Sequence, residues 1–372
     1  MGTTDVFKYE LDTPCLTIDI DILEYNLSKM KAFVYAAGKQ LRPHAKTHKC
    51  SRLAKKQIAA GAIGVCAAKV AEAEVLVDAG VQGILITGPL VSPAKIKRLA
   101  SLLAKDPTIM VVVDHHENVR RLDEAMGNAQ LSLDVLLDID VGLGRTGTLP
   151  ESALELGGYI AGCSNLRLRG IQAYAGFVQH IQSYAEREKA SLDCMQSAAD
   201  VFCHLKESAP SCTIFSGTGT GTYDIDIQIS ELTELQVGSY AVMDAEYLSI
   251  AAKDDPVRFS DFRPALTLLT TVVSANQSQF VTVDAGLKSL YQNGGNPFVI
   301  SPGFTQLTYD WFGDEYGRLS CDAGGELPKL GAVLELVTSH CDPTINQFDS
   351  FYITQGDRVI DTWPIDMRGR SQ

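Results

Sequence analysis

A lysine among histidines is the clearest chemical feature of this sequence. Residues 42–49 read Arg-Pro-His-Ala-Lys-Thr-His-Lys, and they join a short apolar strand pattern to a helical pattern. A lysine held at such a junction can be partly dehydrated and can act as an amine, which forms Schiff bases with carbonyl compounds such as pyridoxal phosphate. Lys46 is therefore a candidate catalytic residue, although most lysines are solvated surface residues.

A segment rich in glycine and threonine is the second such feature. It reads Ser216-Gly217-Thr218-Gly219-Thr220-Gly221-Thr222. Glycines let backbone N–H groups approach an oxyanion, and the interleaved hydroxyls add further hydrogen-bond donors. The segment indicates a phosphate site, and the alternative is a flexible surface turn.

The third feature is His340-Cys341-Asp342, which we expect at a strand end, where residues i and i+2 point to the same side. His340 and Asp342 would then converge on one ion, while Cys341 points away. An imidazole and a carboxylate suit Mn²⁺, Mg²⁺ or Co²⁺, and Asp314 could support the ion through water. The alternative is a buried hydrogen-bonded pair without a metal.

The elements that must position these residues follow from the apolar patterns. Between about residues 40 and 245, short apolar strand patterns alternate with helical patterns, which predicts an α/β fold and a (β/α)8 TIM barrel; a doubly wound open sheet is the alternative. One helix should end before Gly80, another should begin at Ser92 and Pro93, and 190–205 should be amphipathic. The predicted strands are 41–46, 63–67, 83–87, 109–114, 134–140, 166–174, 213–216 and 235–242.

In a TIM barrel, chemistry takes place at the C-terminal ends of the strands. Those ends supply an amine, a cation, an aromatic face and a Gly/Thr loop, which are the groups that a phosphorylated aromatic aldehyde needs. Arg145 could instead pair with Asp138 or Asp140, and Tyr174 could simply pack in the barrel mouth. In strand order, these ends carry Lys46, then Arg145, Tyr174, the 216–222 loop, and Gly238 with Ser239.

A second domain follows the barrel. From about residue 257, alternating strand patterns replace helical ones, and a Gln-Gly-Asp turn at 355–357 predicts a hairpin. We therefore predict a barrel domain over 20–255 and a mostly antiparallel β domain over 256–372. Residues 15–18 form a further strand that could join either domain, and residues 1–19 are assigned to the β domain. The predicted strands are 267–273, 280–283, 332–338, 351–354 and 359–362.

Composition excludes several functional classes. The net charge of −13, from 32 basic and 45 acidic residues, disfavours binding to nucleic acid or to an anionic membrane. No apolar run reaches the roughly 18 residues that a membrane span needs, and the first residues show no apolar targeting segment. Nine cysteines at irregular spacing indicate reduced thiols, so we expect a cytoplasmic protein. We expect its partner to be a small molecule.

Several motifs resemble the family of D-threonine aldolase and eukaryotic-type D-serine dehydratase, which belongs to the alanine-racemase-like, fold-type III pyridoxal phosphate enzymes. The resemblance covers nearly the whole chain and keeps the motif order. The matching segments are 12–14, 42–49, 140–142, 145–147, 170–174, 216–222, 238–240, 284–288 and 340–344.

The resemblance implies roles for the candidate residues. Lys46 would form the Schiff base, Arg145 would approach the phenolic oxygen of the cofactor, and Tyr174 would flank its ring. His340 and Asp342 would bind the metal. The 216–222 loop, with Gly238 and Ser239, would hold the phosphate. It also implies a homodimer, and a β domain that the N-terminal strand completes.

The metal motif separates the two branches of this family. Dehydratases usually carry His-x-Cys, whereas this chain has His-x-Asp, as the aldolases do, and a one-residue shift along a strand faces the opposite side. One difference from the family is Tyr316, where members often have histidine.

The resemblance therefore implies a lyase that cleaves a D-β-hydroxy-α-amino acid to glycine and an aldehyde. The metal would lower the pKa of the β-hydroxyl, and a base, either water linked to His340 or hydroxide from the metal site, would take its proton. Mn²⁺ is the metal we expect. The alternatives are a dehydratase of D-serine or D-3-hydroxyaspartate and a non-catalytic carrier of the cofactor.

Overall fold

The computed structural model describes residues 6–321 and 325–372 and divides into two compact units. The β unit comprises the N-terminal residues up to Ser28, Thr47–Cys50 and Ser239–Arg368, and the barrel unit comprises Lys29–Lys46, Ser51–Gly238 and Gly369–Gln372. The domain limits expected from the sequence stay a prediction. Residues 1–5 and 322–324 of the expected β domain lie outside the described residues.

Short parallel strands form the barrel unit. They are β2 Gln40–Leu41, β3 Cys66–Ala67, β4 Leu85–Ile86, β5 Met110–Val113, β6 Leu133–Ile139, β7 Leu166–Ala173, β8 Ile214–Gly217 and β9 Glu234–Leu235; β1 belongs to the β unit. Their order is β2-β9-β8-β7-β6-β5-β4-β3, and a parallel bridge between His44 and Cys66 joins the two outer strands. The sheet therefore closes, which confirms the TIM-like fold and excludes the open doubly wound sheet.

Helices follow the strands, as the sequence patterns predict. Ser92 is the residue before α4, but its side chain makes no capping hydrogen bond, and Gly80 adopts a φ of 81° two residues after α3 ends. The helices from α1 to α7 are Ile20–Ala36, Ser51–Ala59, Val70–Asp78, Pro93–Leu103, His116–Ala129, Pro150–Ala161 and Tyr184–Ser208.

An apolar interior supports the barrel strands. It contains a cluster of buried side chains from β3 to β6, against which Ile214 of β8 packs. Most residues of β3, β4 and β5 are apolar and buried because both faces of the sheet are covered, which is the pattern expected for parallel strands, whereas β6 and β7 also carry charged residues. The cluster consists of Cys66, Leu85, Met110, Val112 and Leu136.

The β unit carries a nine-stranded sheet that is mostly antiparallel, as predicted. Its strands are β1 Cys15–Asp19, β10 Leu266–Ser274, β11 Phe280–Val283, β12 Phe298–Val299, β13 Thr308–Trp311, β14 Gly317–Ser320, β15 Val333–Val337, β16 Ser350–Gln355 and β17 Arg358–Pro364. β1 lies between β10 and β16, which settles the strand that the sequence left open. Because β11 also pairs with β10, the strands β11, β14, β13, β12, β15 and β10 close into a small barrel.

The β unit also contains two short helices, α8 Ala245–Leu248 and α9 Cys341–Ile345. Among residues 6–321 and 325–372, no helix has the length and apolar character needed to span a membrane.

Candidate functional site

Lys46 lies in a turn directly after the first barrel strand region. The backbone N–H of Lys46 donates to Nδ1 of His44 over 3.4 Å, and Nε2 of His44 is 3.1 Å from Oγ1 of Thr87. The lysine side chain is partly buried. Its backbone is thus held by a histidine that is itself anchored on β4, so the amine is presented from a defined position at the strand ends.

Two cations share one aromatic ring in the barrel unit. Lys46 Nζ lies 5.7 Å from the centroid of Tyr174, and the guanidinium carbon of Arg145 lies 5.9 Å from the same centroid. Tyr174 follows the last residue of β7 and is partly buried. The sequence predicted all three residues, and the fold brings them together.

The loop that carries Arg145 is shaped by Asp140. The Asp140 carboxylate accepts from the backbone N–H groups of Gly142 and Gly144, at 2.9 and 3.0 Å. The two glycines have φ values of 114° and 67°, which residues other than glycine rarely adopt. Arg145 itself is exposed. The structure thus assigns Asp140 to the backbone of the loop rather than to an ion pair with Arg145.

A buried polar network lies beneath this loop. The Asp138 carboxylate accepts from Oγ1 of Thr146 and from Nε2 of Gln172, at 2.9 and 2.8 Å. Gln236 donates to Oε1 of Gln172 and to Oγ of Ser216, at 3.0 and 2.9 Å. Burial raises the pKa of Asp138 to about 6. The network links the Arg145 loop to the start of the Gly/Thr segment. Sequence analysis did not identify Gln236, although its position just after a barrel strand could have marked it as a site residue.

The Gly/Thr segment is tightly packed and is not a flexible turn. A Cβ at Gly217 would lie 2.5 Å from the carbonyl oxygen of Ala173, and one at Gly221 would overlap the carbonyl oxygen of Gln179. Oγ1 of Thr218 is buried without a hydrogen bond of ordinary geometry. Such an atom is costly unless a partner binds it, so the segment fits an oxyanion such as a phosphate.

The remaining predicted phosphate residues are Gly238 and Ser239, and they follow the eighth barrel strand in the chain. Ser239 begins a 3-10 turn, Ser239–Ala241, and its carbonyl oxygen accepts from the N–H groups of Val242 and Met243. Strand β9 ends at Leu235, and the expected strand 235–242 is wrong at its end, because the chain turns from Ser239 instead of extending.

His340 and Asp342 come together in the β unit, but not for the predicted reason. They do not lie on one face of a strand: β15 ends at Val337, and His340 is the residue before helix α9. The first helical turn brings His340 Nε2 to 3.8 Å from Asp342 Oδ1. Cys341 is fully buried, and its thiol donates to the carbonyl oxygen of Met243 over 3.1 Å.

Two carboxylates missing from the sequence analysis surround this pair. Glu246 Oε2 lies 3.6 Å from Nδ1 of His340, and the buried Asp244 carboxylate accepts from the N–H groups of Cys341 and Tyr247. Burial raises the pKa of Asp244 to about 6 and also raises that of Glu246. The spacing of two acids at i and i+2 was visible, but only the fold places them beside His340.

Asp314 is exposed, and its carbonyl oxygen accepts from the N–H of Lys288. Tyr316 is also exposed. Across residues 6–321 and 325–372, no group of three or more histidine, cysteine or acidic side chains is arranged to hold a metal ion. A site in this cluster would therefore consist of His340 and Asp342, the two ligands that the sequence predicts.

Comparison with known proteins places the chain in a family. The model of the family "Alanine racemase, N-terminal domain" matches residues 18–246, and a serine dehydratase domain model matches residues 265–354. The chain is 39% identical over 364 residues to a D-threonine aldolase from an Arthrobacter species, which covers 97% of this chain and 94% of that protein. The chain belongs to the D-threonine aldolase family. The resemblance read from its motifs is thus confirmed.

Other members of the D-threonine aldolase family agree with this assignment. A 3-hydroxy-D-aspartate aldolase from Paracoccus denitrificans is 37% identical, with 97% of this chain and 93% of that protein covered. The crystal structure of D-threonine aldolase from Filomicrobium marinum superposes with a TM-score of 0.93 at 35% identity, over 100% of this chain and 99% of that one.

The family assignment confirms four predictions: the fold, the family itself, an enzyme of the lyase class, and an aldolase in preference to a dehydratase. A D-threo-3-hydroxyaspartate dehydratase from a Delftia species is more distant, at 26% identity over 95% of this chain and 97% of that protein. The family uses the fold of pyridoxal phosphate enzymes. The roles of the individual site residues stay a prediction.

Proposed function

We propose that this chain cleaves D-threonine and other D-β-hydroxy-α-amino acids to glycine and an aldehyde, using pyridoxal 5'-phosphate and a divalent metal ion. The observation that carries the proposal is the placement of Lys46 Nζ and the Arg145 guanidinium over the Tyr174 ring. A flat aldehyde cofactor needs an amine, a cation for its phenolic oxygen and an aromatic face. The named activity of the Arthrobacter relative supports this choice of substrate.

Residues of the barrel unit would hold the aldehyde, the phenolic oxygen and the ring of the cofactor. Lys46 would bind its aldehyde covalently, Arg145 would donate to its phenolic oxygen, and Tyr174 would cover one side of its ring. When bound, pyridoxal phosphate supplies an electron sink for the bond that breaks at Cα. The phosphate would be held by Ser216, Gly217, Thr218, Gly219 and Thr220 with Gly238 and Ser239, and the buried hydroxyl of Thr218, which makes no hydrogen bond of ordinary geometry, supports this fit.

The β unit would hold the metal. Asp342 Oδ1 is a buried atom without a hydrogen-bond partner and lies 3.8 Å from Nε2 of His340, so these two donors suit one shared cation. Nitrogen and carboxylate donors favour Mn²⁺, with Mg²⁺ or Co²⁺ as the alternatives. When bound, the ion supplies positive charge that lowers the pKa of the β-hydroxyl. His340 would receive the proton of that hydroxyl through a water molecule.

We also propose a cytoplasmic homodimer. None of the nine cysteines forms a disulfide bond, which suits a reducing compartment. The dimer rests on the resemblance to the family.

Product analysis tests the function. With D-threonine, Mn²⁺ and cofactor, the chain should release acetaldehyde and glycine, and L-threonine should remain uncleaved. Formation of 2-oxobutanoate and ammonia would contradict the aldolase proposal. As a control, Lys46→Ala should fold normally, lose the visible absorbance of the bound cofactor and lose turnover; a yellow, active variant would exclude Lys46 as the Schiff-base residue.

A further inference from the structure

Arg187 is a fully buried arginine that the proposed chemistry does not use. It lies in the second turn of α7 and is among the largest side chains that are fully enclosed. Burying a guanidinium is costly unless its N–H groups find acceptors. The residue therefore calls for a reason beyond helix formation.

Two acceptors of Arg187 are backbone carbonyls of loops at the barrel mouth, and the negative charge of Asp224 also stabilises the guanidinium. Nε donates to the carbonyl oxygen of Gly221 over 2.8 Å, and Nη1 donates to that of Ile181 over 2.6 Å. Its guanidinium also lies 5.4 Å from the ring centroid of Tyr184. Gly221 belongs to the Gly/Thr segment, so one buried cation joins this segment to the loop that precedes α7.

Gly221 is held on its other side by Gln179. The N–H of Gly221 donates to Oε1 of Gln179 over 3.0 Å, and Nε2 of Gln179 donates to Oγ1 of Thr222 over 3.0 Å. The peptide groups on both sides of Gly221 are thus fixed in orientation. A phosphate site made of backbone and hydroxyl donors depends on this kind of rigidity, because each donor must point at the same anion.

We propose that Arg187 is a positioning residue for the phosphate of the cofactor. It holds the Gly/Thr segment in shape, and its positive charge offsets the buried carboxylate of Asp226, which accepts from Oγ1 of Thr222 in the same segment, so that the site selects a phosphorylated aldehyde over the unphosphorylated one. The inference rests on the proposed function, in which this segment binds phosphate. Charge acts strongly at such a position because little water screens it.

The test compares two ligands, pyridoxal phosphate and pyridoxal, which differ only in the phosphate. Their dissociation constants are measured by absorbance titration of the full-length chain freed of cofactor. In Arg187→Met, the preference for pyridoxal phosphate should fall by about 10–100-fold, the loss expected for a buried charge-assisted hydrogen bond, while pyridoxal affinity changes less than about twofold. In Arg187→Lys, which keeps the charge, the preference should fall by about 3–10-fold.

The matched control is Lys189→Met on the same helix, where the side chain is 78% exposed and should leave the preference unchanged. The ³¹P chemical shift of bound cofactor should also move in the Arg187 variants and not in the control. If Arg187→Met does not fold, the preference of Arg187→Lys for pyridoxal phosphate tests the role of Arg187. An unchanged preference, or equal weakening of both ligands, would overturn the role of Arg187, whereas a wild-type chain that does not prefer pyridoxal phosphate would overturn the phosphate site itself.

Discussion

At the scale of single residues, the site depends on polar side chains that the barrel buries beneath its loops. Asp138 is the clearest case, because its carboxylate holds both Thr146 and the Gln172 side chain while it is almost fully buried. Burial disfavours the charged form, which explains its raised pKa. The charge of this one residue therefore affects both the stability of the barrel and the shape of the Arg145 loop.

Asp138→Asn should change how the stability of the cofactor-free chain depends on pH. The native pKa, about 6, exceeds the ordinary value of 3.8, so the native state binds more protons between these two values and the wild type loses stability as pH rises. Between pH 4.5 and 8, the free energy of unfolding of the wild type should fall by about 2 kcal/mol because of Asp138. The variant should not show this fall. Urea unfolding of both proteins at the two pH values measures the difference, and parallel pH curves would contradict the expectation.

At the scale of elements, the barrel strands follow one another as the apolar runs predict, with one irregularity between β6 and β7. Their register shifts between the pairs Val135–Leu168 and Leu136–Gly170, so that Arg169 is an extra residue on β7. Gly170 has a φ of 144°, and a Cβ there would overlap the carbonyl oxygen of Ile214 in β8. A glycine is required at this bulge, since it lets three strands stay in contact.

Gly170→Ala should therefore destabilise the chain by at least about 2 kcal/mol, or prevent folding, because both backbone strain and steric overlap oppose it. Gly158→Ala is the matched control: Gly158 lies within α6, and a Cβ there meets nothing within 4 Å. The control should gain about 0.5–1 kcal/mol, the usual advantage of alanine within a helix. Urea unfolding compares the two, and equal stabilities would show that Gly170 has no special role.

The elements that sequence analysis missed are those with weak patterns. Strands β12, β13 and β14 escaped because they are short: β12 has two residues, and β13 and β14 have four each. The pairing of β14 with β11 and β13 stabilises it, and such pairing is not visible in a local pattern.

At the scale of the whole molecule, the two halves of the proposed chemistry belong to different units. Lys46, Arg145 and Tyr174 are in the barrel unit, whereas His340 and Asp342 are in the β unit. Loss of the metal should therefore leave Lys46, Arg145 and Tyr174 in place.

Treatment with EDTA should abolish turnover of D-threonine, while the absorbance of bound cofactor persists; added Mn²⁺ should restore activity. Asp342→Asn should reproduce this loss with the absorbance retained, because it weakens one of two proposed protein ligands. Full activity in EDTA would exclude a metal role, and loss of cofactor absorbance would show that the two sites are not independent.

The sequence by itself determined the barrel, the β domain, and the lysine, arginine, tyrosine and Gly/Thr segment, because buried parallel strands are continuous apolar runs and barrel chemistry lies at their ends. Only the tertiary structure decided which polar groups surround them: the Asp138–Gln172–Gln236 network, Glu246 beside His340, and Arg187 behind Gly221. Local patterns report burial and turns along the chain, whereas polar contacts between residues 34 to 94 positions apart exist only once the chain has folded.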